Sequence, residues 1–214
     1  MKPFKLSIFL ILTLYYCPST YSIDLKIKVM DVNQQPVEYA VIYINEVAPK
    51  SEHKTVTVDQ VDKEFIPYVT VVQRGSDITF PNNDNIRHQV YSFSPSKQFE
   101  LPLYSGNAIR PVTFDNNGAV AMACNIHDWM KAYVYVVDTD KFVISNGEGE
   151  GVITDLTNGE YEVLLWHPKL KTSVEATAQQ IVVNNKNQQL SFTVKQKKQL
   201  KAWRAPKSIS RRSY

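Results

Sequence analysis

The sequence has little cysteine and no apolar run long enough to cross a membrane. Two cysteines occur among 214 residues. The apolar run near the start covers residues 6–16, whereas a membrane-spanning helix needs about twenty apolar residues. The sequence also lacks a nucleophile motif, a phosphate-binding loop and a paired-carboxylate signature. We therefore expect neither a transmembrane segment nor an enzyme.

Residues 1–22 have the layout of a secretory signal peptide. A basic start precedes the apolar run, and Thr20 and Ser22 supply small residues before the expected cleavage point. Cys17 lies in this segment, so the mature chain of about 192 residues keeps one cysteine, Cys124. A single thiol in an oxidising compartment indicates a dedicated use, and metal ligation is the simplest one. We expect a periplasmic or secreted protein.

Charge is unevenly distributed along the chain. Residues 195–214 hold eight basic residues and no acidic one, whereas residues 23–194 hold 14 basic and 21 acidic residues. The tail is predicted to be disordered beyond about Lys197 and dispensable for metal binding, because it has little apolar surface to bury. We expect no nucleic-acid partner for a secreted chain, and weak contact of the tail with an anionic surface stays open.

Short strand patterns separated by turn residues dominate the rest of the chain. They occur at residues 25–29, 55–58, 68–72, 77–80, 88–93, 112–114, 119–123 and 133–137. No long amphipathic helix pattern is present. Short strands at this spacing predict an all-β chain built as a sandwich or a barrel.

A thiol, an imidazole and a thioether fall within seven residues, at Cys124, His127 and Met130. Two His and one Cys, with a distant axial Met, are the donors of blue-copper electron-transfer sites. The second His is expected on an upstream strand, where His88 follows an Asn-rich turn. A buried Cys, a surface His and a core Met are each common structural residues, but their joint spacing favours copper held by His88, Cys124 and His127 with Met130 axial.

Residues from about 53 to 138 resemble a cupredoxin domain. The resemblance rests on the turn 81–84 before His88, on Gly118 leading into the strand that ends at Cys124, and on the Cys-x2-His-x2-Met loop, which is similar to that of amicyanin. It implies a Greek-key β-sandwich that binds copper and transfers single electrons. The runs Asn-Ile-Arg-His, Phe-Ser-Pro and Cys-Asn-Ile-His-Asp-Trp-Met also resemble secreted bacterial proteins of the methylamine-utilisation type, which implies a link to amine oxidation or a related respiratory chain.

The cupredoxin resemblance also implies supporting residues around the copper. Gln89 stands where the family has Asn, and its backbone N–H is expected to point toward the Cys124 sulfur. Asn82 is expected to brace the loop before His88, although a plain turn asparagine is the alternative. Asp128 and Trp129 replace an apolar, proline-containing interval of amicyanin.

Two further histidines remain outside the predicted copper site. His167 is expected to have a structural or partner-facing role, and His53 is assigned none.

The flanks carry a second resemblance. Hairpin patterns at 31–43 and 151–163 are similar to the beginning and the end of a carboxypeptidase-regulatory-like β-sandwich. We therefore predict a signal peptide (1–22), a regulatory-like β-sandwich made of 23–50 and 140–194, an inserted cupredoxin domain (51–139) and a basic tail (195–214). Each hairpin alone is a common pattern, so flanks that merely extend the cupredoxin sheets are the alternative.

Two functions stay open at this point. The first is one-electron transfer with a redox protein partner. The second is non-redox copper carriage, or a secreted β-sandwich binding module whose metal site is structural.

Overall fold

The computed structural model describes residues 22–45, 54–107 and 110–197, and the predicted all-β class is confirmed. Residues 1–21 of the predicted signal peptide, His53 and residues 198–214 lie outside the described residues. No helix in the described part of the chain is long and apolar enough to cross a membrane. The strands are β1 (Ile23–Asp31), β2 (Val41–Ile44), β3 (Thr55–Thr57), β4 (Asp59–Val61), β5 (Glu64–Ile66), β6 (Val69–Gln73), β7 (Ser76–Thr79), β8 (Tyr91–Ser94), β9 (Lys97–Glu100), β10 (Val112–Phe114), β11 (Gly118–Ala123), β12 (Lys131–Val137), β13 (Phe142–Ile144), β14 (Glu150–Leu156), β15 (Gly159–Trp166), β16 (Gln179–Val183) and β17 (Gln188–Val194), with one 3-10 turn at Glu175–Thr177.

The central unit consists of two sheets and a hairpin. One sheet has the order β6-β12-β11-β8-β9, the other has the order β10-β7-β3, and β4 pairs with β5. Side chains alternate across a strand, so Val120 and Met122 of β11 face the core while Ala121 faces outward. Cys124 follows on the inward side and is 3% exposed. The alternation of β11 therefore delivers the thiol into the core.

The strands before and after the central unit pair with one another. β1 pairs antiparallel with β14 and parallel with β17, and β2 lies between β13 and β15. Their buried side chains form a separate core that includes Leu25, Ile42, Ile44, Leu165 and Phe192. None of the sheets assigned within the described ranges mixes strands from the two units. The division into a regulatory-like β-sandwich and an inserted cupredoxin domain stays a prediction.

An aromatic cluster joins the two units. Trp166 of the flanking unit stacks on Tyr135 of β12, with ring centroids 4.6 Å apart, and lies 6.0 Å from the ring of Tyr133. Val69 and Val71 of β6 belong to the same buried group. The flanking unit thus partly covers the outer face of the five-stranded sheet. Strand β12, which begins directly after the Cys124–Met130 loop, packs against the central core on one face and against this cluster on the other.

Gly149 is expected to be indispensable to the flanking unit. Its φ is +73°, and an added Cβ would collide with the Val29 carbonyl oxygen and lie 3.0 Å from Val37 N. An L residue in this conformation costs about 1–2 kcal/mol, and the forced backbone shift adds about 1–3 kcal/mol. We expect Gly149→Ala to lower the free energy of unfolding by about 3 kcal/mol in urea denaturation. Gly147→Ala is the matched control, because nothing lies within 4 Å of its added Cβ; equal stability of the two variants would contradict the expectation.

Candidate metal centre

The turn between β11 and β12 fixes three of the predicted ligands. Cys124 N–H donates to the Met130 carbonyl (3.1 Å), and Met130 N–H donates to the His127 carbonyl (2.9 Å). Because β11 and β12 are antiparallel neighbours, these bonds close the seven-residue loop on itself. The Met130 side chain is 1% exposed; its axial role stays a prediction.

His88 reaches the same place from a different part of the chain. Its backbone exchanges two hydrogen bonds with Tyr104, at 2.9 and 3.0 Å, and its side chain is fully buried. Nδ1 of His88 lies 3.7 Å from Sγ of Cys124. The ring centroids of His88 and His127 are 5.1 Å apart.

His88, Cys124 and His127 form a compact donor group. One ligand atom from each lies within 4.8 Å of the others, and this is the one group of three or more metal-binding side chains found in the described ranges. A thiolate and two imidazoles around one point are the donor types of a trigonal copper site. The group therefore suits a copper ion.

A buried nitrogen of His127 without a hydrogen-bond partner is also consistent with a copper site. Its Nδ1 is buried and has no hydrogen-bond partner among the described residues, although leaving such a group unsatisfied costs about 1–3 kcal/mol. Burial lowers the pKa of His127, and His88 and Lys63 lower it further while Asp84 opposes them. The ring is therefore held in the neutral form that a metal needs.

Asp84 orients His88, a role that the sequence reasoning missed. Its Oδ2 lies 2.9 Å from Nε2 of His88 and accepts the N–H of Lys63 at 2.7 Å. Burial alone would raise the pKa of Asp84, but hydrogen bonds from His88 and from the Lys63 and Asn85 N–H groups hold it below its usual value. A carboxylate on Nε2 leaves the lone pair on Nδ1, facing Cys124. The available signal was an acidic residue four positions before the histidine.

Asn82 binds the loop that carries His88 through both ends of its amide. Nδ2 donates to the carbonyls of Ile86 (2.9 Å) and Tyr104 (2.8 Å), and Oδ1 accepts the N–H of Asp84 (3.1 Å). The side chain is 2% exposed. These contacts fix the loop between the turn and the histidine, as a loop-bracing residue would.

The remaining predicted neighbours take different positions. Gln89 uses its side chain to donate to Glu100 on β9 (2.6 Å); the contact of its backbone N–H with sulfur stays a prediction. Trp129 lies beside His127, with ring centroids 5.1 Å apart. This residue, which differs from the amicyanin loop, therefore places an aromatic ring next to a proposed ligand.

His167 lies in the flanking unit and has structural contacts. Its side chain is 5% exposed, Nδ1 accepts the N–H of Lys169 (3.0 Å), and Nε2 lies 3.1 Å from the carbonyl of Glu38. Burial lowers its pKa to about 4, from an ordinary value of 6.5. The folded state therefore keeps this ring neutral where the unfolded state protonates it.

This difference predicts acid sensitivity. Between pH 6.5 and about pH 4 the unfolded state binds one proton more, so stability falls as the pH drops, by about 1.4 kcal/mol per pH unit and about 3 kcal/mol in all. His167→Gln removes the titration and should flatten this part of the pH profile of unfolding. Carboxylates titrate in both proteins, so the difference between the two profiles is the measurement. Parallel profiles would contradict the prediction.

Solved structures similar to this chain include copper proteins. A purple cupredoxin from Nitrosopumilus maritimus aligns with 18% identity over 38% of this chain and 99% of that chain, with a TM-score of 0.35. A reduced amicyanin variant aligns with 19% identity over 45% of this chain and 98% of that chain, with a TM-score of 0.36. The copper-containing nitrite reductase of Thermus scotoductus SA-01 aligns with 23% identity over 52% of this chain and 28% of that chain, with a TM-score of 0.37. No protein-family model and no curated protein matches the chain.

Proposed function

We propose that this chain is a copper protein that carries single electrons to and from a redox protein partner. The observation that carries the proposal is the donor group His88, Cys124 and His127, whose ligand atoms lie within 4.8 Å of one another. Met130 is proposed as the axial donor. A copper ion held there would supply a one-electron couple between Cu(II) and Cu(I).

The surroundings of the donors support electron transfer because they limit rearrangement. A soft thiolate favours Cu(I), and imidazoles serve both oxidation states. Asp84 bonds the His88 ring, Asn82 bonds the loop before His88 through the carbonyls of Ile86 and Tyr104, and the closed loop holds Cys124 and His127. Donors that are fixed in this way need little displacement when the oxidation state changes.

The exposed side of the site is formed by the ligand loop. His127 is partly exposed, and Ile126 beside it is 52% exposed. A partner that docks over Ile126 would come close to a proposed ligand ring while water is excluded there. We propose this side as the contact for the redox partner.

The location and the pathway are proposed from the sequence patterns. A periplasmic or secreted location is supported by the signal-peptide layout of residues 1–22 and by the single remaining cysteine. A link to amine oxidation or a related respiratory chain is supported by the motif at residues 124–130. In this proposal the chain is a carrier and not an enzyme.

Voltammetry of the copper-loaded protein tests electron transfer against non-redox copper carriage. We expect a reversible one-electron wave and slow loss of copper to a chelator, because His88 and Cys124 are 0% and 3% exposed. A sluggish wave together with rapid loss of copper to the chelator would favour the carrier and overturn the proposal.

A further inference from the structure

The β4–β5 hairpin lies against the loop that carries His88. Gln60 N–H donates to the Pro81 carbonyl (3.2 Å), Asn83 N–H donates to the Gln60 carbonyl (3.1 Å), and Asn83 Nδ2 donates to Asp59 Oδ2 (2.7 Å). The hairpin is therefore tied to the turn at 81–84 by main-chain and side-chain bonds.

The tip of the hairpin reaches the imidazole of His88 through Asp84. Asp62 and Lys63 have φ values of +53° and +62°, which is the pattern of a two-residue hairpin turn with both central residues at positive φ. This turn directs Lys63 N–H to Asp84 Oδ2 (2.7 Å), the oxygen that lies 2.9 Å from Nε2 of His88. The hairpin thus contributes to the orientation of the ring.

The hairpin also reaches the backbone of His88, through a buried amide. Gln60 is fully buried, and its Nε2 donates to the hydroxyl of Tyr104 (2.6 Å) and to the Pro81 carbonyl (3.1 Å). The Tyr104 hydroxyl donates in turn to the Phe80 carbonyl. The backbone of Tyr104 exchanges two hydrogen bonds with His88.

One polar atom of the buried Gln60 side chain lacks a hydrogen-bond partner. Its Oε1 is buried and has no hydrogen-bond partner within the part of the chain that the structure describes. An unsatisfied buried acceptor opposes folding, and an aliphatic side chain of similar size would avoid it. The unpaired acceptor therefore offsets part of the stability that the Nε2 hydrogen bonds of Gln60 contribute.

We infer that the β4–β5 hairpin is a clamp that sets the orientation of His88 before the metal binds, with Gln60 as its positioning residue. Gln60 holds the backbone of His88 through Tyr104, and Lys63 N–H holds its ring through Asp84. This inference rests on the proposed copper site and adds residues that do not contact the metal.

Gln60→Leu is the test substitution, because it removes the clamp contact without leaving a buried donor unpaired. In this variant the Pro81 carbonyl still accepts a hydrogen bond from the backbone N–H of position 60, and the Phe80 carbonyl still accepts one from the Tyr104 hydroxyl. We expect the melting temperature of the metal-free protein to stay essentially unchanged. We expect the affinity for Cu(I), measured by competition with a chromophoric chelator, to fall about 10-fold or more, and the thiolate-to-copper band of the Cu(II) form to shift.

Tyr104→Phe breaks the same connection from the other side and serves as the second variant. The Phe80 carbonyl then retains Gln60 Nε2 at 3.4 Å. Both substitutions interrupt the same connection. We therefore expect the double variant to bind Cu(I) no more weakly than the single variant with the lower affinity. Thr57→Val is the control, since it removes a hydrogen bond to Thr79 between neighbouring strands (3.0 Å) that involves none of the clamp residues.

The outcomes separate the two proposals. If the wild-type protein does not compete with the chelator for Cu(I), the proposed copper site itself is wrong. A wild-type protein that binds Cu(I), with Gln60→Leu and Tyr104→Phe within twofold of it and with unshifted bands, overturns the clamp and leaves the copper site standing. Losses that add in the double variant also overturn the clamp.

Discussion

Cys124→Ser is expected to abolish the intense visible absorption of the Cu(II)-loaded protein and to weaken copper binding severely. The band arises from charge transfer between the thiolate and copper, and Cys124 is the one cysteine of the described ranges. A serine hydroxyl is a hard donor that stays protonated, so the remaining imidazoles of His88 and His127 make a poor trigonal site. The measurement is an absorption titration with Cu(II).

Ala123→Ser is the matched control for this substitution. It introduces the same hydroxyl one position earlier, on the outward side of β11, where the residue is partly exposed. The control should retain the full band with one copper per chain. A band that survives in Cys124→Ser, or a colourless wild-type protein with copper bound, would rule out a bond between copper and the Cys124 thiolate.

Asp84→Ala is expected to have the second large effect. The substitution removes the acceptor of His88 Nε2 and of the Lys63 N–H. Unpaired buried donors should lower the free energy of unfolding by about 1–3 kcal/mol. Loss of the carboxylate that fixes a metal-binding histidine typically costs about 10- to 100-fold in metal affinity. Chemical denaturation of the metal-free protein and chelator competition measure the two effects separately.

Asp84→Asn and Asp128→Asn complete the comparison. Asp84→Asn keeps an oxygen that can accept from His88, so it should lose less affinity than Asp84→Ala. Asp128 is an exposed acid within the ligand loop, and its substitution by Asn should change the affinity little. If Asp84→Ala and Asp128→Asn bind copper alike, the carboxylate does not orient His88.

The proximity of the predicted loop ligands could be inferred from the sequence because the loop's contacts are local. Cys124, His127 and Met130 lie on one tight turn, so their spacing already encodes their proximity. His88 needed an additional assumption about which strands neighbour each other. The structure supports its position through a bridge to Tyr104, and β8 begins only at Tyr91, later than the predicted strand at 88–93.

The supporting residues were less accessible to sequence reasoning. Gln60 contacts Tyr104 across 44 positions of the chain, and no local pattern reports such a contact. Asp84 looked like an ordinary turn residue until His88 was placed beside it. In the flank, β17 (Gln188–Val194) was not predicted, because its glutamines obscure the alternating apolar pattern of a strand. Phe192 and Val194 are nevertheless buried on one side of it.

X-ray absorption at the copper edge, recorded on the Cu(I) and Cu(II) forms of the full chain, measures the ligands of the proposed copper site. We expect one short bond to a thiolate sulfur and two bonds to imidazole nitrogens in both forms, with little change between them, because Cys124, His88 and His127 are held by the loop and by Asp84. A shell of nitrogen and oxygen alone, or a shell that exchanges ligands between the two oxidation states, would contradict this expectation.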